Sequence, residues 1–362
     1  MSQSVVETSS KPVASRLRLG AIELDFPVVQ AALSGYSDWA MRVIARRLGA
    51  PYTLCEVLLD KFVIEVTRGK KAQRFLRVTD EEHPVGAQLM GANPEDFGPA
   101  TERLVAAGFD VIDINFGCPV KKVLGRCRGG FLLSQVETAL EIVARVREAA
   151  PPQVPVTVKM RRGLDDSDLS RERFYRIFDG AFERGVAAIT VHGRTVEQRY
   201  VGPSRWAFLT ELKRHAGSRV VLGSGDLFTP QACLRMIRET GVDGVTAARG
   251  AIGNPWIFSQ ARALAAGLPL PEPPTILEQR AVIAEHFRLA EELYGPEAGG
   301  RHMRKFGIKY SRLHPEPLAV RDAFVRVTRP EEWRAVFDRF YAQDGPGRHP
   351  GEDVDESESC EG

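Results

Sequence analysis

"DINFGCPVKKV", residues 113 to 123, begins as an alternating apolar run and stops being one at Asn115, where Gly117, Cys118 and Pro119 crowd together. Gly117 loosens the backbone, Pro119 stiffens it, and Lys121 and Lys122 follow at once. The residues alone leave Cys118 as either a catalytic acid or a filler in a turn. The strand half of this stretch has counterparts along the chain. Short apolar, β-branched runs occur at Phe26 to Leu33, Tyr52 to Cys55, Pro84 to Met90, Val111 to Asn115, Val154 to Met160, Ala187 to His192, Arg219 to Leu222 and Gly244 to Ala247. Between them, Trp39 to Leu48, Pro94 to Ala107, Ser134 to Ala149, Ser170 to Arg184 and Pro230 to Thr240 have helical spacing, and several end at a glycine such as Gly108 or Gly241. This alternation predicts an α/β fold, a (β/α)8 TIM barrel.

After Trp256 the pattern is helical only. A proline-rich joint, "LPLPEPP" from Leu268 to Pro274, marks the change. The expected organisation is a flexible N-terminus (1–18), a barrel (19–267), the joint (268–275), a small all-helical domain (276–343) and a disordered acidic tail (344–362). With 43% hydrophobic and 27% charged residues among 362, the chain falls in the soluble globular class. Met1 to Ser15 has no apolar core of a secretory signal, and no run is long enough to span a membrane, so the expected compartment is the cytoplasm. Five scattered cysteines without a C-x-x-C pair, and seven histidines without H-x-x-H spacing, predict reduced thiols and no metal. The net charge of +2 conceals an asymmetry: Asp344 to Gly362 carries seven acids and one arginine, which leaves +8 on the body. A basic body of this kind suits a polyanionic partner.

In a TIM barrel the chemistry occupies the loops at the C-terminal ends of the strands, and unusual polar residues fall there. Ser34 and Gly35 follow the first strand, Gln88 lies in the third, Asn115 and Cys118 end the fourth, Lys159 and Arg161 the fifth, and His192 and Arg194 the sixth. "GSGD" (Gly223, Ser224, Gly225, Asp226) follows the seventh, and Ala248, Arg249 and Gly250 the eighth. Glycines at the last two strands let backbone N–H groups approach a phosphate, and Arg249 adds a charged donor. Lys159 and His192 point into the mouth. A buried lysine needs an electron-rich partner, and a flavin provides one near its N1 and C2 carbonyl, with Gln88 facing its amide edge.

These residues make the chain recognisable. "DINFGCPVKKV", "VTVKMRRGLDD" (Val156 to Asp166), "ITVHGRTVEQRYVGPSRW" (Ile189 to Trp206) and "RGAIGNPWIF" (Arg249 to Phe258) resemble the tRNA-dihydrouridine synthase family, with similarity from about Leu19 to about Tyr341. The resemblance implies FMN as cofactor, NADPH as reductant, and reduction of the uracil C5–C6 bond in tRNA, with hydride from FMN to C6 and a proton from Cys118 to C5. It places Asn115 beside the base or flavin, Gln88, Lys159 and His192 on the flavin ring, and the loops 223–226 and 248–250 on its phosphate. It also implies that the helical domain binds tRNA, and the run Arg301, Arg304, Lys305, Lys309 and Arg312 is its clearest basic surface; Arg301, Lys305, Lys309 and Arg312 have single-face helical spacing. We expect a monomer. The chain departs from the family pattern at the first strand end, where "AALSGYSD" lacks a proline and a methionine, at Ser224 in place of asparagine, and at Ala248 in place of glycine. Cys127, in "GRCRGG", is the rival to Cys118. Two further readings are an FMN barrel acting on a free pyrimidine and a tRNA-binding flavoprotein without catalysis.

Overall fold

A computed structural model describes residues 16–66 and 69–351. Residues 1–15 of the expected flexible N-terminus, and residues 352–362 of the acidic tail with Cys360, lie outside the described residues. Eight strands close into a parallel barrel: β3 (Val28–Gln30), β4 (Thr53–Leu59), β5 (Val85–Met90), β6 (Val111–Phe116), β7 (Val156–Arg161), β8 (Ala188–His192), β9 (Val221–Ser224) and β10 (Gly244–Ala247), with β10 pairing back onto β3. The strands read as nearly continuous apolar runs because side chains on one face fill the barrel and those on the other meet the helices. That layer comprises α1 (Trp39–Arg47), α2 (Asp60–Glu65), α3 (Lys70–Leu76), α4 (Pro94–Ala106), α5 (Lys121–Leu124), α6 (Val136–Ala149), α7 (Asp168–Glu183), α8 (Trp206–Ala216), α9 (Pro230–Thr240) and α10 (Ile257–Ala265). Helix starts follow local chemistry. Asp38 caps α1 by accepting from the Met41 N–H at 2.9 Å, and Thr229 caps α9 ahead of Pro230.

The parallel register levels the future site residues. Gln88 lies opposite Asp113, Asn115 opposite Lys159, Arg161 opposite His192, and His192 opposite Ser224. Since a one-residue slip would turn each side chain to the other face, this register brings five strands' polar ends to a common mouth.

At the opposite end, a hairpin of β1 (Leu17–Leu19) and β2 (Ile22–Leu24) plugs the barrel. Leu17, Leu19 and Leu24 pack with Val29, Tyr52, Leu54, Val111, Ala188 and Leu222 near the strand starts. This corrects the expected flexible segment, since Leu17 and Arg18 belong to β1. Two other expectations change as well. The second strand runs to Leu59, past a bulge between Leu54 and Val57, and the loop after it holds α2 and α3.

Residues 268–275 have no helix or strand, and C-terminal helices follow: α11 (Ile276–Tyr294), α12 (Pro296–Tyr310), α13 (Pro317–Arg326) and α14 (Pro330–Phe340). The helix α13 is short and buries only Val320 and Phe324. Thr275 and Glu278 form a capping box on α11. The body also extends beyond residue 343. Gly345 accepts from the Ile276 N–H at 3.0 Å, Asp344 from the Leu277 N–H at 3.2 Å, and Arg348 donates its N–H to Leu313 at 2.9 Å. These bonds tie the start of the expected tail to α11 and the turn after α12.

Candidate active site

The C-terminal mouth of the barrel opens into a cavity with about 1000 Å³ of empty space, open solvent at its entrance included. Its wall includes Ser34, Gln88, Asn115, Cys118, Lys159, His192, Ser224, Gly225, Asp226, Ala248 and Arg249, so strand ends distant in sequence converge on one space.

A directional chain of hydrogen bonds organises one side. Asn115 Oδ1 accepts from the Gly117 and Cys118 N–H groups at 3.0 and 3.1 Å, which fixes its amide orientation. Its Nδ2 therefore donates to Gln88 Oε1 at 2.7 Å, and Gln88 Nε2 donates to Asp113 Oδ2 at 2.6 Å. Asp113 Oδ1 accepts from Thr157 Oγ1, also at 2.6 Å. Burial pushes the Asp113 carboxyl above its ordinary range, while the Thr157 and Gln88 bonds oppose the shift. Asn115 is thus first a brace of the Cys118 turn.

The turn itself is closely built. The Gly130 N–H donates to the Cys118 carbonyl at 3.1 Å, and Gly129, at φ +58°, lies so close that a Cβ there would be 2.8 Å from Cys118 Cβ. Arg161 Nε donates to the Gly117 carbonyl at 3.0 Å, and its Nη1 to the carbonyls of Thr195 and Arg199 at 2.7 and 2.6 Å. Arg161 therefore staples the cysteine turn to the loop after β8. The strand-end reading gave it no role, although its place two residues beyond Lys159 put it on the same face of β7.

Lys159 makes no hydrogen bond or ion pair with a described residue, yet its ammonium stands in the cavity wall. Burial and the neighbouring Arg161 pull its pKa down to about 8, against the attraction of Asp113 and Cys118. Burial, followed by Arg161, Lys159, Arg194 and Arg249, holds His192 well below its ordinary value. His192 is therefore neutral at pH 7. Its Nδ1 accepts from the Arg194 N–H at 3.2 Å, which leaves the proton on Nε2 as a donor.

The glycine loops divide by role. Gly225, at φ +113°, lines the cavity and has no room for a Cβ, which would press on Ser204 and lie 3.2 Å from His192 Cε1. Gly223 faces outward, where a Cβ would be 2.5 Å from Met236 Sδ of α9. Gly250 packs against the Leu227 carbonyl and Phe228 Cα, while Gly35 supports the turn after β3; these three glycines are absent from the cavity wall. Asp226 accepts from the Ser204 N–H at 2.7 Å and pairs with Arg194 at 2.8 Å, with Arg249 at 3.8 Å. A carboxylate offers an anion no donor, so Asp226 organises the arginines rather than receiving a phosphate. Tyr200 and Phe228, both missed in the sequence because they lie on loops, flank the Arg249 guanidinium at 4.6 and 5.0 Å from their ring centres.

Among the other cysteines, Cys127 is exposed and lies off the cavity, whereas burial raises Cys55 and Cys233 to about 12, as expected of packed thiols. The basic run of α12 divides. Arg301 and Arg304 are exposed. Lys305 Nζ donates to the Gly35 carbonyl and Arg312 Nη2 to the Ile252 carbonyl at 2.8 Å, so both turn toward the barrel. Lys309 is only partly exposed. The single-face expectation counted charge and could not show that this flank packs against the barrel rim. Among the described residues no cluster of three or more His, Cys, Asp or Glu side chains could hold a metal, and no helix is long and apolar enough to cross a membrane.

A closed parallel barrel with this cationic, thiol-bearing mouth is a TIM-barrel enzyme equipped for an anionic, electron-rich ligand. Within that class the chain belongs to the dihydrouridine synthase family: residues 29–343 match the family model described as Dihydrouridine synthase (Dus). It is 34% identical over 333 residues to a probable tRNA-dihydrouridine synthase of Mycobacterium tuberculosis, covering 90% of this chain and 84% of that one. It is 32% identical over 338 residues to tRNA-dihydrouridine synthase B of Xanthomonas campestris, covering 92% and 99%. Among solved structures, morphinone reductase shares the fold with a TM-score of 0.53 at 16% identity, over 74% of this chain and 92% of that one. The activity is that of a tRNA-dihydrouridine synthase, an oxidoreductase whose substrate is tRNA.

Proposed function

We propose that the cavity holds FMN, that Cys118 delivers the proton to C5 of a tRNA uracil, and that NADPH is the reductant. The observation that carries this reading is an unpaired Lys159 ammonium in the same cavity wall as the Cys118 thiol. The residues fit a flavin. Lys159 and the His192 Nε2–H would meet the electron-rich side of its ring and Gln88 its amide edge, while the backbone at Ser224, Gly225 and Ala248 and the Arg249 guanidinium would hold its phosphate. Bound there, FMN supplies the hydride that reaches uracil C6.

The protein's own part is the proton. A thiol ordinarily titrates near ~8.5 and so carries its proton at neutral pH. Lys159 and Arg161 both interact electrostatically with Cys118, which favours the thiolate left after proton transfer. The Asn115 brace and the Arg161 staple hold the turn in place meanwhile. A uridine must leave its stack to enter the mouth, which costs a few kcal/mol that backbone contacts must offset. The exposed Arg301 and Arg304 are available for those contacts.

The test is purification of the full chain with its visible spectrum recorded, followed by NADPH oxidation with unmodified tRNA and mass spectrometry of the product. Cys118→Ala should keep the flavin spectrum and lower dihydrouridine formation by about 10²–10⁴-fold, the usual range for loss of a general acid. Full activity in Cys118→Ala with loss in Cys127→Ala would reverse the assignment.

A further inference from the structure

We propose that Lys305 is a positioning residue for the cofactor: through it the C-terminal helices hold the cavity-facing turn after β3 in shape. This rests on the FMN reading above. Ala32, Leu33 and Ser34 line the cavity, and the turn they belong to has no proline to stiffen it. Part of its order is internal, since the Leu33 N–H donates to Ser37 Oγ at 2.8 Å and the Leu33 carbonyl accepts from the Tyr36 and Ser37 N–H groups, each at 3.0 Å. The rest comes from outside. Gly35, at φ +76°, is gripped from both sides: its N–H donates to Glu56 Oε1 of β4 at 2.7 Å, and its carbonyl accepts from Lys305 Nζ of α12.

The grip on the helical side is specific. The Lys305 ammonium lies 4.8 Å from the Tyr36 ring centre, and Tyr36 in turn meets Phe306 edge-on at 5.4 Å. Three residues further on, Asp38 caps α1 while accepting from Tyr294 Oη of α11 at 2.8 Å, and His302 Nε2 of α12 is 2.8 Å from the same carboxylate oxygen. The acids facing Lys305 are Glu56 and Asp38, both on the barrel. One of its donors is thus committed to the Gly35 carbonyl, and its charge is met by carboxylates of the barrel rather than left wholly for an RNA phosphate. Two helices close on a turn of seven residues, and the end of that turn borders the proposed cofactor site.

The experiment strips flavin from the full-length protein and follows FMN rebinding by fluorescence, alongside tRNA binding across a salt series. Lys305→Met keeps the aliphatic stem over Tyr36 and removes the donor. Loss of one charge-assisted hydrogen bond should weaken FMN about ten- to a hundredfold, with the salt slope of tRNA binding unchanged, and Lys305→Arg should recover most of the affinity. Arg301→Ala with Arg304→Ala should do the reverse, flattening the salt slope at constant FMN affinity. Should Lys305→Met fail to fold, hydrogen exchange on the unaltered protein decides: FMN must protect the α12 segment around Lys305 as well as residues 32–37. Unchanged FMN affinity in Lys305→Met, or no FMN-dependent protection in α12, overturns the inference. An unaltered chain that takes up no FMN overturns the cofactor reading instead.

Discussion

Replacing Asp113 with alanine removes the acceptor from two buried donors, Gln88 Nε2 and Thr157 Oγ1, each 2.6 Å from a carboxylate oxygen. Burying a donor without a partner costs about 1–3 kcal/mol, so Asp113→Ala should lose about 2–6 kcal/mol, a large share of the ~5–15 kcal/mol that holds a typical domain folded. At about 2 °C per kcal/mol for a chain of this size, the melting midpoint should fall by about 4–12 °C. Asp113→Asn differs. Its carbonyl can still accept from Gln88 while its amide donates to Thr157, so it should stay within about 1 kcal/mol of the parent. The pH dependence supplies a sign. Because burial raises the Asp113 pKa in the fold, the protonated form favours folding, and that contribution is present below about pH 4 and lost as pH rises through the raised folded value. Asp113→Asn should therefore gain on the parent as pH rises from 4 to 7. Circular-dichroism melts of the three proteins at both pH values test this. If Asp113→Ala melts with the parent, or Asp113→Asn falls as far as Asp113→Ala, the directional chain from Cys118 to Asp113 does not carry the energy assigned to it.

Lys159, held at about 8 in the fold and near 10.5 when exposed, opposes folding while charged, so stability of the parent should rise between pH 8 and 10.5, by at most about 3 kcal/mol. Urea unfolding of Lys159→Met should show no rise across that window, and parallel curves would contradict the burial of an unpaired ammonium. Gly225→Ala places a Cβ against Ser204 at φ +113°, and backbone strain of about 1–3 kcal/mol should lower the melting midpoint and weaken FMN binding together. Calorimetry with and without FMN checks it, and an unaltered midpoint would show that the loop has room to move.

The barrel was legible because parallel strands buried on both faces read as apolar runs, and the polar wall of the cavity because Gln88, Asn115, Lys159 and His192 interrupt those runs at their ends. Other parts were legible and overlooked: Leu17, Leu19, Ile22 and Leu24 alternate on either side of Gly20, the pattern of a short hairpin. Some were not legible at all. Gly223, Gly225 and Gly250 look equivalent in sequence, and only the structure shows that Gly225 lines the cavity while yielding to Ser204, whereas Gly223 yields to Met236 and Gly250 to Leu227. Likewise, spacing gives Lys305 and Arg312 the same face as Arg301, but not the carbonyls that claim them.

The hairpin that plugs the strand starts has a kinetic consequence. Leu17, Leu19 and Leu24 cover the strand starts, so on the FMN reading proposed above the reductant and the uridine both come to the C-terminal mouth, and the first must leave before the second enters. On that reading turnover alternates between two half-reactions, and each substrate in excess blocks the other's turn. Initial rates at several fixed tRNA concentrations should accordingly give parallel double-reciprocal lines, the signature of a ping-pong enzyme.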